Sequence, residues 1–546
     1  MQPPSSNLAE ASVWDHETDV LVVGFGGAGA CAAVEALERG AQVLAVDRFA
    51  GGGATRMSGG IIYLGGGTRQ QLEAGVEDSP EAMERYLRLE TRGVIGDETL
   101  TRFCQESATM AAWLEERGVP LGAALSPYKT SYPIAKHTLY YSGNEPLTTS
   151  AAHAKPAQRG HRTRGRGLPG GALFSALANA ARDRGVELWT QARVSALLTS
   201  SQGEVIGARV HRCRGLRALL HRALDGLMFR ARYGLLAMPG LYGLFGRAVR
   251  WIERGAPSVT VRARAGVILA AGGFIHDREM VASFAPAYLP GTPLGTLGDD
   301  GSGIRMGTEV GGATDRMERI TAWRFINPPL SFTSGVLVGP SGARVCNEEV
   351  YGALMGRRMV EDHGGEAWLI LDRTLWRQAH GELGPSKANW FQSVPALVNL
   401  WYNRHRAVGV DALARKMGAQ PEALRRTLES YNQGCERGED ALGKSEGACR
   451  PLDLAGRLYA VDCSLGSRLF TCATLTLGGL RVDERSGAVL TDEGSPISGL
   501  FAAGRTAVGV TSEGYVSGLS IADAVFSGRR AAQSAFRREM DDQQVG

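Results

Sequence analysis

The patterned part of the chain opens on a short apolar run, Asp19-Val-Leu-Val-Val-Gly24. Such a run, without polar alternation, reads as a strand buried on both faces. Small residues from Ala30 to Arg39 then predict a helix that stops at Gly40, and a second apolar run, Ala41 to Val46, ends at Asp47. The same kind of run returns at Val267-Ile-Leu-Ala-Ala-Gly-Gly273 and at Gly499-Leu-Phe-Ala-Ala-Gly504, and a last helix starts near Ser517-Gly-Leu-Ser520. Glu204–Arg212 and Ser258–Ala265 also read as strands. Between about residues 280 and 470 the pattern changes. Asp411 to Gly418 is a short amphipathic helix closed by glycine, and Pro421 opens another over Glu422 to Tyr431. Strand–helix–strand order predicts an α/β fold.

The first turn carries Gly24-Phe-Gly26-Gly27-Ala28-Gly29. In β-turn-α-β context this G-x-G-x-x-G is a dinucleotide fingerprint. Gly24 permits the tight turn, Gly26 lets a pyrophosphate approach, and Gly29 lets helix pack on strand. The pyrophosphate gains the N–H groups and positive end of the helix. Asp47, 23 residues after Gly24, stands where a ribose hydroxyl is accepted, with Arg48 next to it. A glycine-rich loop follows, Gly51 to Gly60, whose Ala54, Thr55, Ser58, Gly59 and Gly60 can lay N–H groups along a phosphate or a ring edge. Ala271 and Gly272, then Gly504 and Arg505, end the later apolar runs in small residues able to approach the same ligand. Gly518, Leu519 and Ser520 open the last helix, whose positive end would stabilise a negative ring.

These segments resemble the fumarate reductase/succinate dehydrogenase flavoprotein superfamily. The resemblance implies FAD and a Rossmann-like FAD-binding domain, residues 15–279 and 471–546. It also implies an inserted α+β cap domain over 280–470, to which Gly342-Ala-Arg-Val-Cys-Asn347-Glu348 and the 411–431 helices correspond. Some members attach FAD through a histidine in the loop after the second strand. Residues 51–60 hold none, so a dissociable, non-covalent FAD is expected.

Dicarboxylate-handling members carry histidine and an Asn-Arg pair before the last helix. Here the stretch reads Thr511-Ser-Glu-Gly514-Tyr515-Val-Ser517-Gly518. Bidentate carboxylate recognition needs arginine's planar fork, leaving Arg357 or Arg358 as the source if the substrate were an acid. The Tyr-x-Ser pair suits a neutral ketone, with Ser517 polarising the carbonyl and Tyr515 taking an α-proton once a neighbour lowers its pKa from about 10. Gly514–Gly518, Tyr140-Tyr-Ser-Gly-Asn-Glu145 and 51–68 resemble 3-ketosteroid Δ4-(5α)-dehydrogenases. That resemblance implies 3-oxo-5α-steroid dehydrogenation to the Δ4-3-oxosteroid, by α-proton abstraction and hydride transfer to flavin N5. It makes Tyr515, Ser517 and a cap tyrosine, for which Tyr351 is the candidate, catalytic. Tyr128, Tyr132, Tyr140 and Tyr141 form an aromatic stretch to which no role is given. The alternatives are a 3-ketosteroid Δ1-dehydrogenase, whose C-terminal motif differs, a flavin-dependent reductase of small unsaturated acids, and a non-enzymatic flavin electron carrier. Cations around the substrate end would favour the reductase; assembled Tyr-x-Ser geometry would count against the carrier.

Charge and cysteine change the picture locally. The net charge of +4 over 546 residues by itself predicts no nucleic-acid partner. No His/Cys spacing predicts a metal, and with one dinucleotide fingerprint and no iron–sulfur spacing the electrons need an external acceptor, a quinone or redox protein. Eight scattered cysteines and a polar start to the chain, its first dozen residues read as an unstructured tail, imply reduced thiols in the cytoplasm. The basic character sits in residues 213–256, where eight arginines face two acids, Asp225 and Glu253. Leu216, Leu219, Leu220, Ala223 and Leu227 recur there at helical spacing, and Tyr233 to Gly246 holds no charge. This basic amphipathic insertion is too short to span a bilayer. It is expected to rest peripherally on the inner face of a membrane.

Overall fold

A computed structural model describes residues 14–236 and 239–545; the expected N-terminal tail lies outside them. The core is an eight-stranded mixed sheet. Its main path runs Ala488–Leu490, Pro496–Ala502, Ser258–Leu269, His16–Val23, Val43–Val46, Glu187–Trp189. Register decides where the site falls. Val23 lies opposite both Val46 and Leu269, and Leu269 opposite Ala502, all in parallel pairs. Four strands therefore end level, and the loops after them, three of which begin in small residues, open onto one crevice at the carboxyl edge.

The first helix, Gly27–Glu38, buries mostly glycine, alanine and cysteine, with Val34 and Glu35. It packs against the C-terminal helix, Leu519–Val545, closely enough that a Cβ on Gly528 would stand 2.4 Å from the Ala28 carbonyl oxygen. Small residues here are a spacing requirement, not a propensity effect.

Residues 280–470 carry a separate antiparallel sheet in the order Val336–Val338, Trp368–Asp372, Arg457–Asp462, Arg404–Val408. Helices Gly352–His363, Val410–Met417 and Pro421–Arg437 flank it. The expected glycine stop at Gly418 is left-handed, with φ 74°. One expectation is corrected. The thiols are not all reduced: Cys435 and Cys449 are bonded, because the chain doubles back after Pro421–Arg437. The other six are buried free thiols.

The insertion is a helical hairpin, Gly215–Leu236 and Pro239–Glu253, rooted between two strands that pair antiparallel at His211 and Ser258. Its periodic leucines do not face the core. Leu216 is 71% exposed, and Leu219, Leu220 and Leu227 also face outward. Among the described residues no helix is long and apolar enough to cross a membrane.

Candidate active site

The level strand ends frame a cavity of about 550 Å³. One end is the glycine turn and Asp47; the other is a cluster of tyrosines and other aromatic rings. The glycines divide by what surrounds them. A Cβ on Gly24, whose φ is +95°, would lie 2.5 Å from the Ala270 carbonyl oxygen, and one on Gly29 would lie 1.9 Å from the Gly24 carbonyl oxygen. A Cβ on Gly26 would meet only the Gly52 oxygen at 3.8 Å. Gly24 and Gly29 thus make the turn, and Gly26 leaves it open for a ligand. Asp47 accepts the Phe25 and Phe49 N–H groups, each at 2.8 Å, and burial raises its carboxyl above the usual range. Two bonds leave lone pairs for a hydroxyl.

Most expected cofactor residues line this cavity: Gly24, Gly26, Gly27, Ala28, Asp47, Arg48, Ala54, Thr55, Ser58, Gly59, Ala271, Gly272, Gly504, Arg505, Gly518 and Ser520. Three do not. Gly29 sits behind the turn, Gly60 (φ +62°) packs on Pro169 and Gly170, and Leu519 is fully buried in the core. Each shapes the wall without forming it. Arg48 is only partly available, since its guanidinium holds Glu253 at 2.6 and 2.8 Å and Asp300 at 2.7 Å.

The fit to FAD rests on two observations. The Gly26 gap lies at the start of the Gly27–Glu38 helix, whose N–H groups suit a pyrophosphate. Arg505, held by Asp299 at 2.5 Å through Nη2, keeps a buried Nη1 without a partner among the described residues. An unpaired buried guanidinium donor needs an acceptor, and an electron-rich flavin edge supplies one. Asp299 sits in Gly298-Asp-Asp-Gly301, a turn sequence legible in advance; its pairing with Arg505, over two hundred positions on, is not. No histidine or cysteine lines the cavity among the described residues. The flavin is therefore expected to leave the protein on acid or heat precipitation, and absorbance in the supernatant checks this; yellow colour retained by the denatured chain would refute it.

At the other end the three expected catalytic residues meet. The rings of Tyr351 and Tyr515 stack with centroids 6.5 Å apart. Ser517 Oγ lies 3.4 Å from the Tyr140 hydroxyl and is near enough to Tyr351 to favour its ionised form. Tyr351 caps helix Gly352–His363, and its N–H donates to Asn144 Oδ1 at 2.6 Å. Two residues before Tyr515, the carboxylate of Glu513 is gripped by Arg316 (2.9 Å), Arg319 (3.0 Å) and Arg357 (3.0 Å), which fixes the loop. Trp323, packed on Tyr515 at 4.9 Å, and Phe325, packed on Tyr351 at 5.3 Å, continue the wall with Phe332, Phe391 and Phe470. These aromatic positions are isolated in sequence, and no pattern announced them. Tyr132, from the stretch left without a role, also lines the cavity, its hydroxyl 2.9 Å from the Gly59 oxygen.

Burial raises the Tyr515 hydroxyl above its ordinary pKa while the Arg505 charge pulls it down. The lowering expected of a base is thus absent from the resting pocket. Tyr351 is also raised well above its ordinary value, by burial and then by its neighbours Tyr515 and Tyr140. Cations are confined. Among the described residues those lining the cavity are Arg48, Arg56, Arg193 and Arg505, none of them within residues 280–470. Arg357 is spent on Glu513, and Arg358 is exposed and paired with Asp362 at 3.1 Å. Neither lines the cavity, so the two arginines expected for a dicarboxylate are not placed to hold one there.

Residues 19–518 match the family model for the FAD binding domain. The chain belongs to that family. The cofactor is FAD, and the protein is a flavoprotein oxidoreductase. It is 39% identical to the 3-oxo-5-alpha-steroid 4-dehydrogenase of Comamonas testosteroni over 91% of this chain and 94% of that one. It is 27% identical to the 3-oxosteroid 1-dehydrogenase of Mycobacterium tuberculosis, over 92% and 94% of the two chains. Among solved structures, it resembles the 3-ketosteroid-delta4-(5alpha)-dehydrogenase of Rhodococcus jostii RHA1, crystallised with 4-androstene-3,17-dione. The TM-score is 0.81 at 30% identity, covering 98% of this chain and 99% of that one.

Proposed function

We propose that this protein dehydrogenates a 3-oxo-5α-steroid to the Δ4-3-oxosteroid, passing electrons from FAD to an external acceptor. The observation that carries the reading is the hydroxyl cluster Tyr515, Ser517 and Tyr351 in an aromatic, cation-poor pocket end. Bound FAD would supply the hydride acceptor for the β-carbon. The chain's own residues manage the proton. Ser517, backed by Tyr351 and Tyr140, offers a hydroxyl to the 3-keto oxygen, which makes the α-proton acidic as the carbonyl gains enolate character. Tyr515 takes that proton. It is preferred over Tyr351 as base because Arg505 favours its anion, whereas the neighbours that act most on Tyr351, Tyr515 and Tyr140, oppose its ionisation. Stacked aromatic walls orient a flat ring system, converting collision into positioning. The test is dye reduction by purified protein with 5α-androstane-3,17-dione, androst-4-ene-3,17-dione or fumarate, with the product identified by mass spectrometry and NMR. The 5α-steroid should decolorise the dye and give the Δ4 product; a Δ1 product or turnover with fumarate alone would replace this reading.

The exposed side of the insertion supports a second element, peripheral contact with an anionic membrane surface, from which an apolar steroid would be drawn. Leu216, Leu219, Leu220, Leu244 and Trp251 (69% exposed) share the hairpin with exposed Arg214, Arg217, Arg230, Arg247 and Arg250. Apolar residues bury into the interface while arginines meet lipid phosphates. The triple variant Leu216→Ser, Leu219→Ser, Trp251→Ser is expected to bind anionic liposomes at least about 10-fold more weakly, from the apolar area lost. Co-sedimentation measures this, and undiminished binding removes the membrane role.

A further inference from the structure

We propose that the inner side of the same hairpin is a lid over the adenosine half of FAD, holding it through Asp225, Phe229 and Tyr242. The idea depends on the cofactor and not on the steroid reading.

The hairpin is anchored beside the dinucleotide cradle rather than hung from its parent strands. Glu253, at its base, takes both arms of Arg48, the residue after Asp47, and His221 Nε2 lies 3.3 Å from the same carboxylate. The Arg48 and His221 contacts hold the Glu253 carboxyl down to about 2. A paired, largely buried contact of this kind fixes orientation more than it adds stability. From that root, Asp225, Met228, Phe229 and Tyr242 reach the cavity wall.

Their surroundings are those of a built site. The Phe229 ring lies over the Arg56 guanidinium at 3.9 Å, joining the hairpin to the glycine-rich loop. Tyr242 stacks on His276 with centroids 4.8 Å apart, and its hydroxyl lies 3.5 Å from the Gly295 carbonyl oxygen. Leu297, also on the cavity wall, would stand 3.5 Å from a Cβ on Gly246, so the second helix lies against that loop. Asp225 and Asp47 both line the cavity, and the Asp225 charge adds to the burial that raises the Asp47 carboxyl. Two carboxylates repel a phosphate and accept from hydroxyls. The pair therefore suits the ribose diol, leaving Arg56 and the Gly26 gap for the pyrophosphate.

The experiment titrates apoprotein with FAD and with FMN, which lacks the adenosine half, following flavin fluorescence, and records the apoprotein melting temperature. Phe229→Ala, Tyr242→Ala and Asp225→Ala are expected to weaken FAD about 10-fold or more each, a scale set by loss of one good contact, and to speed its release on dilution. FMN affinity and apoprotein melting should stay at the wild-type level. The outward variant Leu216→Ser, Leu219→Ser should leave FAD affinity unchanged. Unaltered FAD affinity in all three inner variants overturns the lid, and so does a parallel loss of FAD and FMN.

Discussion

Tyr515→Phe is expected to lower steroid-dependent dye reduction by about 10²–10⁴-fold, the usual cost of removing a general base. FAD content and melting temperature should stay near wild type, because the ring contacts with Trp323 and Tyr351 survive and only the hydroxyl is lost. The pH profile supplies an independent signature. Burial raises the Tyr515 pKa above its ordinary value. At neutral pH the tyrosinate is therefore a small fraction, growing about tenfold per pH unit below the pKa. Wild-type turnover at saturating steroid should rise with pH on the alkaline side. The phenylalanine variant should lose that rise along with the rate. A variant with near-wild-type turnover removes Tyr515 from the mechanism. A slow variant that keeps the alkaline limb moves the base elsewhere, Tyr351 being the next hydroxyl in the cluster.

What the sequence could announce was local. The dinucleotide cradle is encoded within Asp19–Asp47, where each glycine has a steric job and the strand ends are visible as apolar runs. Tyr515 and Ser517 were legible for the same reason: they sit two apart, just before a helix, and face one pocket. Assembly over long separations was not legible. Arg505 is legible as a residue near the cofactor but not as the partner of Asp299, and Arg357 is a candidate substrate ligand until Glu513 takes its guanidinium. The insertion's leucines show the complementary limit. Helical period reveals that a helix has an apolar side, but not whether a core meets it; here Leu216 and Leu219 face outward while Phe229 and Tyr242 face the cavity. Gly29 was read as a packing glycine and is tightly packed, whereas Gly60 and Leu519 were expected against the cofactor because their neighbours are there. A motif gives proximity, whereas the side of the loop a residue occupies depends on packing.

Two glycine substitutions should separate folding from ligand approach. Gly29→Ala places its Cβ 1.9 Å from the Gly24 oxygen and 3.1 Å from Val22 Cγ1. The first is backbone and cannot swing aside, so the turn must shift. Overpacking of this kind typically costs about 1–3 kcal/mol. It should lower the apoprotein melting temperature and distort the cradle as well. Gly26→Ala is different. Gly26 has φ −88°, which any residue adopts, and its Cβ would point into open space with Gly52 oxygen at 3.8 Å. Nothing in the folded chain resists it. The methyl instead fills the gap assigned to the pyrophosphate, so the apoprotein should melt as wild type while FAD binds about 100-fold more weakly, roughly 2.7 kcal/mol. Calorimetric melting of both apoproteins, with flavin titration of each, reads out the distinction. Normal FAD affinity in Gly26→Ala would show that the pyrophosphate does not lie over that glycine. An unchanged melting temperature in Gly29→Ala would show that the turn can absorb a methyl its geometry excludes.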